Sequence, residues 1–258
     1  MKKIIYFMLL SCGLLLNFHA YGGAQRKIEK QSCVTSRVLW GAKISPYVRK
    51  VVITLEEKKV PYTIHEILPS MLLRATDQPI PNKFERISPF GKIPAYEEIE
   101  GENLFSISES SVIMEYIEQT VANNPLRPIC SKMNARVSWW LKYADDTLAP
   151  ITHRILFEKI VKPSVLKQES DVAIVKQLLH VELVRAMDYL EETLSSNQRS
   201  WIADTTDFSL ADIAVVSHLV TLNTADENLH LLIGESRPQL QAYVEKVFAR
   251  DSFQKAMP

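Results

Sequence analysis

Hydrophobic and polar positions divide the chain into three stretches of different character. Residues 1–24 contain a mostly apolar run between charged and small residues. Residues 36–122 switch between the two-residue alternation of strands and the 3.6-residue spacing of helices, whereas residues 128–258 show only helical spacing. The pattern predicts a leader, a mixed α/β domain and an all-helical domain.

The leader has the layout of a secretory signal peptide. Lys2 and Lys3 precede the apolar run, residues 4–16, and small residues follow up to Ala24. The run is shorter than the ~20 apolar residues that a membrane-spanning helix needs. We therefore expect an exported protein, periplasmic or secreted. The alternative is a lipoprotein anchored at Cys12, although the apolar run continues past that cysteine.

The α/β domain is predicted to have the order β-α-β followed by β-β-α. Ser45 and Pro46 form a helix-start signature, and Pro61 ends that helix. The stretch from Pro69 to Pro89 holds four prolines and is predicted to be largely irregular, with one short helical turn near Phe84. The predicted strands cover residues 37–40, 62–67, 93–96 and 104–107, and a closing helix starts near residue 108. This is the thioredoxin-like order, a mixed sheet with helices on both faces.

The second half is predicted to be a helical bundle. A linker at residues 123–125 separates it from the first domain, and no strand pattern follows. The predicted helices cover residues 133–160, with a kink near Pro150, and residues 172–194, 210–222 and 240–248.

Composition excludes some classes of function. The chain has 258 residues, 47% of them hydrophobic, and 30 basic against 30 acidic side chains without a basic run. It therefore lacks the electrostatic footprint of a nucleic-acid-binding protein. Beyond Cys12 the chain has Cys33 and Cys130, which form neither a Cys-x-x-Cys pair nor a metal-ligand spacing. One disulfide and two free thiols both remain open, and no metal site is predicted.

Four short motifs follow one another along the chain. The first, residues 40–51, is WGAKISPYVRKV, in which Ser45 stands at a helix N-terminus. The second, residues 89–94, is PFGKIP, and the third is Ser108-Glu109-Ser110. The fourth, residues 208–213, is FSLADI, which combines a capping box with a hydrophobic staple. A plain helix cap would also favour a serine at position 45.

In this order the motifs resemble the glutathione S-transferase family, in particular its serine-type phi and tau members, over residues 38–248. The resemblance implies that Ser45 hydrogen-bonds the sulfur of the co-substrate glutathione. It also implies that Lys92, Ile93 before a cis-Pro94, Glu109 and Ser110 bind the rest of the tripeptide. A small electrophile would bind between the domains, near Tyr47, Trp139 and Tyr143, and the protein would form a homodimer. The segment from Pro94 to Glu109 is longer than the family pattern, which leaves the register of Glu109 open.

Two other functions fit the same fold. A glutathione-dependent thiol oxidoreductase would use a cysteine at position 45, where this chain has Ser45. A non-catalytic binding module is the other alternative, because a fold does not fix a function.

Overall fold

The computed structural model describes residues 36–258. The predicted signal peptide and Cys33 therefore lie outside the described residues. No helix within residues 36–258 is long and apolar enough to cross a membrane.

The first half is built on a mixed four-stranded sheet in the order β2-β1-β3-β4. Strand β1 pairs in parallel with β2 and antiparallel with β3, and β3 pairs antiparallel with β4. The strands are β1 Ser36–Trp40, β2 Thr63–His65, β3 Ala95–Glu100 and β4 Asn103–Ser108. The helices are α1 Pro46–Glu57, α2 Ser70–Ala75, α3 Asn82–Ile87 and α4 Ser110–Thr120. The thioredoxin-like order predicted from the sequence is confirmed.

The second half contains only helical elements. These are α5 Ser131–Tyr143, α6 Ala149–Leu156, α7 Val172–Gln177, α8 Leu183–Ser196, α9 Leu210–Leu219, α10 Thr221–Thr224, α11 Leu229–Ile233, α12 Pro238–Phe248 and α13 Asp251–Ala256. Three π-helical segments, Ala144–Leu148, Phe157–Leu166 and Leu178–Glu182, join α5 to α6, extend α6 and join α7 to α8. All ten residues of α9 are buried, so this helix is the centre of the bundle.

Several element predictions need correction. The stretch from Pro69 to Pro89 contains two short helices, α2 and α3, rather than one turn. The predicted helix of residues 133–160 is interrupted by a π-helical turn just before Pro150, which occupies the first turn of α6, where its missing N–H costs least. Helix α4 begins at Ser110, because β4 extends through Ser108. Helices α11 and α13 were not predicted, since both are too short to show a periodic pattern.

Helix α1 connects the two halves. It packs against α4 in the first half and against α9 and α13 in the helical second half. Arg49 is almost fully buried, and its guanidinium donates to the carbonyl of Ser217 at 3.3 Å and to the hydroxyl of Thr224 at 3.2 Å. At the end of α1, Glu57 accepts two hydrogen bonds from Arg250, at 2.7 and 2.8 Å. The described residues, 36–258, consequently belong to one compact unit.

Candidate active site

Ser45 occupies the N-cap of α1 but does not cap it with its side chain. Its backbone is extended, with φ −75° and ψ 124°, and its carbonyl accepts the N–H of Arg49 at 3.0 Å. Pro46 follows as the first helical residue. Within the described residues the hydroxyl of Ser45 has no hydrogen-bond partner, so it is available to a ligand at the positive end of the helix.

Gly41 brings the loop before Ser45 against the second motif. Its φ of 148° lies outside the range that other residues readily adopt, and a Cβ there would come within 2.6 Å of Val48 Cγ2 and 3.3 Å of Ile93 Cβ. The N–H of Gly41 donates to the carbonyl of His65 at 3.0 Å. The absence of a side chain therefore allows the loop and Ile93 to lie in contact.

The peptide bond between Ile93 and Pro94 is cis, as the motif implied. Trp40 pairs with Ala95 at the end of β1, so Ile93 lies just beyond that end of the sheet. Its side chain is buried, while its backbone N–H and C=O have no partner among residues 36–258. This backbone can pair with an extended peptide as a short added strand.

Lys92 precedes that backbone with an exposed side chain. Its carbonyl accepts a hydrogen bond from the Oγ of Ser88 at 2.7 Å, and the carbonyl of Gly91 accepts the N–H of Ser70 at 2.8 Å. The loop is thus fixed through its backbone, and the ammonium group is left to solvent or to a ligand.

Glu109 and Ser110 lie at the start of α4. Glu109 has φ 78°, a conformation uncommon outside glycine, and its side chain is exposed. Ser110 is buried as the first residue of the helix. The free N–H groups of the first turn of this eleven-residue helix suit a carboxylate.

The long hairpin does not separate this site from the cis-proline. Ala95 pairs with Ser108, so Pro94 and Glu109 extend from the same end of the hairpin. An antiparallel hairpin can be lengthened at its turn, here around Gly101, without moving its two open ends apart. The longer hairpin therefore leaves Glu109 near Pro94, and the role of Glu109 in binding stays a prediction.

Tyr47 lies at the junction of the two halves. Its ring forms edge contacts with His153 at 5.8 Å and with His218 at 5.2 Å between centroids, and Lys50 Nζ lies 5.6 Å from its centroid. Burial, together with the negative charge of Asp145, raises the pKa of Tyr47 to about 12. The phenol is therefore protonated near neutral pH.

Trp139 and Tyr143 lie in a different aromatic group. Their rings stack on α5 with 5.5 Å between centroids, and Trp140 and Tyr189 complete the cluster. Among the described residues no ring contact joins this cluster to Tyr47. The structure therefore does not bring the three predicted electrophile-pocket residues together, and the roles of Trp139 and Tyr143 stay predictions.

Sequence reasoning missed the polar groups around Tyr47. Lys50, Asp145, His153 and His218 come from α1, the first π-helical turn, α6 and α9. No local motif joins them, since Lys50 and Asp145 are 95 positions apart. The available signal was that two adjacent basic residues, Arg49 and Lys50, stand inside an otherwise apolar part of α1.

Cys130 is exposed at the N-cap of α5, and it forms no disulfide within residues 36–258. Backbone hydrogen bonds from Met133 and Lys132 lower the pKa of its thiol. The choice between a disulfide with Cys33 and a free thiol stays open, because Cys33 lies outside the described residues.

The sheet order, the cis-proline loop and the all-helical second half define a two-domain protein of the thioredoxin-like class. The model of the glutathione S-transferase N-terminal domain matches residues 39–125, and that of the C-terminal domain matches residues 148–251. The chain belongs to the glutathione S-transferase family.

Relatives and solved structures agree with this assignment. The chain is 30% identical to glutathione S-transferase 3 of Zea mays over 85% of this chain and 92% of the relative. It is 26% identical to a glutathione S-transferase of Hyoscyamus muticus, over 85% and 96%. The structure of an apo glutathione S-transferase III has a TM-score of 0.68 and 27% identity, over 86% of this chain and 95% of the other. FzlA from C. crescentus shares the fold, with a TM-score of 0.74 and 23% identity, over 86% and 91%.

Proposed function

We propose that the hydroxyl of Ser45 stabilises the thiolate of glutathione, with which this transferase attacks small electrophiles. A free thiol has a pKa of ~8.5, so a donor at a helix N-terminus is needed to keep it ionised near neutral pH. The observation that carries the proposal is that the Ser45 hydroxyl is not used to cap α1. A serine that served only as a cap would bond a backbone N–H of the first turn.

The rest of the tripeptide would bind along the same edge. The free backbone of Ile93 suits the cysteinyl residue, and the start of α4, with Ser110, suits the γ-glutamyl carboxylate. Glu109 would accept the γ-glutamyl ammonium, and Lys92 would pair with the glycyl carboxylate. The proximity of Pro94 and Glu109 at the open end of the hairpin supports this arrangement.

Replacement of the serine tests the proposal. Ser45→Ala should lower kcat/KM for conjugation of a reactive aromatic electrophile about tenfold, or ~1.4 kcal/mol, because the thiolate loses its donor. Ser45→Thr, which keeps a hydroxyl, should retain more of the activity. Both variants should bind immobilised glutathione, since the remaining contacts are unchanged.

The same experiment separates the other functions. Full activity of Ser45→Ala would contradict the catalytic role. Glutathione binding without conjugation by the parent protein would favour the binding module. Activity only as a thiol oxidoreductase would be unexpected, because Ser45 cannot form a mixed disulfide.

The electrophile is proposed to bind beside Tyr47. Tyr47 lies on α1, two residues beyond Ser45. Its ring contacts that of His153, which belongs to the helical domain, and this supports a cleft at this junction. The Trp139 and Tyr143 cluster is a second place where an apolar electrophile could stack.

Members of this family are typically dimeric. We propose a homodimer for this chain, supported by three large apolar side chains that are exposed on β4 and α4. These are Leu104, Phe105 and Val112. Sedimentation of the mature chain at twice the monomer mass would support the dimer, and a monomer at micromolar concentration would contradict it.

Export is the last part of the proposal. The two lysines and apolar run of residues 1–24 support it, and the mass of the processed chain would test it. Retention of the full-length chain in the cytosol would contradict export.

A further inference from the structure

A buried polar cluster lies behind the start of α4. It consists of Lys50, Ser111 and Asp145, and we refer to it as the Lys50 cluster. The Lys50 side chain is fully buried, and its Nζ donates to Asp145 Oδ1 at 2.5 Å and to Ser111 Oγ at 3.1 Å. Ser111 Oγ in turn donates to Asp145 Oδ2 at 2.5 Å. Three elements, α1, α4 and the first π-helical turn, therefore meet at one carboxylate.

The charges in this cluster balance each other. Burial alone would raise the pKa of Asp145, but the nearby His218, whose Nε2 lies 3.4 Å from Oδ1, the hydrogen bonds from Lys50 and Ser111 and the charge of Lys50 hold it well below its ordinary value. Burial lowers the pKa of Lys50, and Asp145 opposes that shift. The two groups thus form an ion pair in which Lys50 is fully buried and Asp145 is partly buried.

A buried ion pair is weak evidence for stability, because apolar residues of similar volume often stabilise a protein as well. It does impose a fixed geometry, since the fully buried ammonium group of Lys50 cannot lose its partner without a large cost. The function of such a pair should therefore be sought in what it positions.

The Lys50 cluster joins the two ends of the glutathione site. Lys50 follows Ser45 by five residues on α1, and Ser111 directly follows Ser110 on α4. We propose that the Lys50 cluster is a positioning device, which holds the γ-glutamyl end of the site at a fixed distance from Ser45. Its members do not touch glutathione themselves. This inference rests on the proposed function.

The chain contains a matched comparison. Lys58, which directly follows α1, is also buried, and its Nζ pairs with Glu118 of α4 at 2.7 Å. This second pair joins the same two helices at their other ends, and Glu118 also accepts the N–H of Leu126, just after the linker. Loss of Lys58 should therefore cost stability without disturbing the start of α4.

The test compares two ligands that differ only in the γ-glutamyl residue. Calorimetric titration would use S-hexylglutathione and S-hexylcysteinylglycine, with the parent, Lys50→Met and Asp145→Asn. We expect the Kd for S-hexylglutathione to rise about tenfold in both variants, which corresponds to ~1.4 kcal/mol. The Kd for the truncated ligand should change less than twofold, because that ligand does not reach α4.

Two control variants accompany the test. Lys58→Met removes the other buried lysine, and Asp146→Asn removes the neighbouring carboxylate, which pairs with the exposed Lys142. Both should keep the parent's preference for the tripeptide. Ser111→Ala keeps the ion pair and removes only its link to α4. It should also raise the Kd for S-hexylglutathione selectively, by a smaller factor, and it replaces Lys50→Met if that variant does not fold.

The outcomes separate this inference from the function beneath it. If the variants lose affinity for both ligands equally, or if Lys58→Met shows the same selective loss, the Lys50 cluster is only structural and the inference is overturned. If the parent does not bind S-hexylglutathione at all, the proposed function fails and the inference fails with it.

Discussion

Two aspartates, Asp212 fully buried and Asp145 partly buried, show how the same side chain is used for two purposes. Asp145 lies at the junction of the domains, and its partners include the cation Lys50. Asp212 lies in the first turn of α9, is fully buried, and accepts hydrogen bonds from neutral groups. Those groups are the N–H of Ser209 at 2.8 Å, its Oγ at 2.9 Å, the N–H of Ile202 at 3.0 Å and the hydroxyl of Tyr243 at 2.9 Å.

The pKa values of the two carboxyl groups shift in opposite directions. Burial raises both, because it disfavours the charged form. For Asp212 burial prevails over its neutral donors and the pKa is raised, whereas for Asp145 the lysine and the hydrogen bonds prevail and the pKa is lowered. Lys50 thus keeps Asp145 charged beside the proposed ligand site. Asp212, which has only neutral donors, has a structural role within the helical domain.

The largest effect is expected for Asp212→Ala. Removal of the carboxylate leaves four donors without their acceptor inside the core, so the free energy of unfolding should fall by about 3 kcal/mol. Chemical denaturation measures this change. Folded Asp212→Ala should keep the parent's affinity for S-hexylglutathione, because the capping box of Ser209 and Asp212 lies in the helical domain.

Asp207→Ala is the control for this variant, since the Asp207 side chain is exposed in the preceding loop. It should change the free energy of unfolding by less than about 0.5 kcal/mol. A denaturation midpoint of Asp212→Ala equal to that of the parent, or a selective loss of ligand binding, would contradict the structural role of Asp212 and its contrast with Asp145.

The sequence predicted features that depend on neighbours along the chain. The capping box between Ser209 and Asp212 is present, because it is determined within a few residues. The cis-proline after Ile93, which the family resemblance implied, is present as well. The hydroxyl that completes the Asp212 network comes from Tyr243, 31 positions away, and no local pattern indicates it.

The same limit applies to the candidate site. Ser45, Ile93 and Glu109 fall within motifs, so their positions at helix and strand ends could be predicted. The Lys50 cluster could not, because it forms only when the first π-helical turn packs against α1. Trp139 and Tyr143 show the opposite case, since aromatic spacing on a helix predicts a common face but not which pocket it lines.

A smaller effect is expected from the histidine beside Asp145. Burial lowers the pKa of His218 to about 4, and the charges of Lys50 and Arg49 add to this, although the negative charge of Asp145, whose Oδ1 lies 3.4 Å from Nε2, opposes it. Tyr47 also faces the ring. Between about pH 6.5 and pH 4 the unfolded histidine binds a proton that the folded one does not, so stability is lost as the pH falls through this range.

His218→Gln should remove this contribution. The difference in stability between parent and variant should therefore shrink as the pH falls from 6.5 to 4, as measured by denaturation at each pH. His230→Gln is the control, because His230 is exposed on α11. A parent and a His218→Gln variant with parallel curves over this range would show that His218 binds a proton as readily in the folded protein as in the unfolded one.

The smallest effect is expected for Tyr243→Phe, which removes one of the four donors to Asp212. The free energy of unfolding should fall by about 1 kcal/mol at neutral pH.

The effect should also depend on pH. Because the pKa of Asp212 is raised, a rising pH ionises its carboxyl group in the unfolded chain at a lower pH than in the folded one. Stability is therefore lost as the pH rises from ~3.9 through the folded pKa. The Tyr243 hydroxyl favours the charged form, so its loss should matter more at pH 8 than at pH 4. Tyr189→Phe, with its ring half exposed on α8, should show no such pH dependence. A Tyr243→Phe penalty that is equal at both pH values, or larger in acid, would mean that the hydroxyl does not stabilise the Asp212 carboxylate.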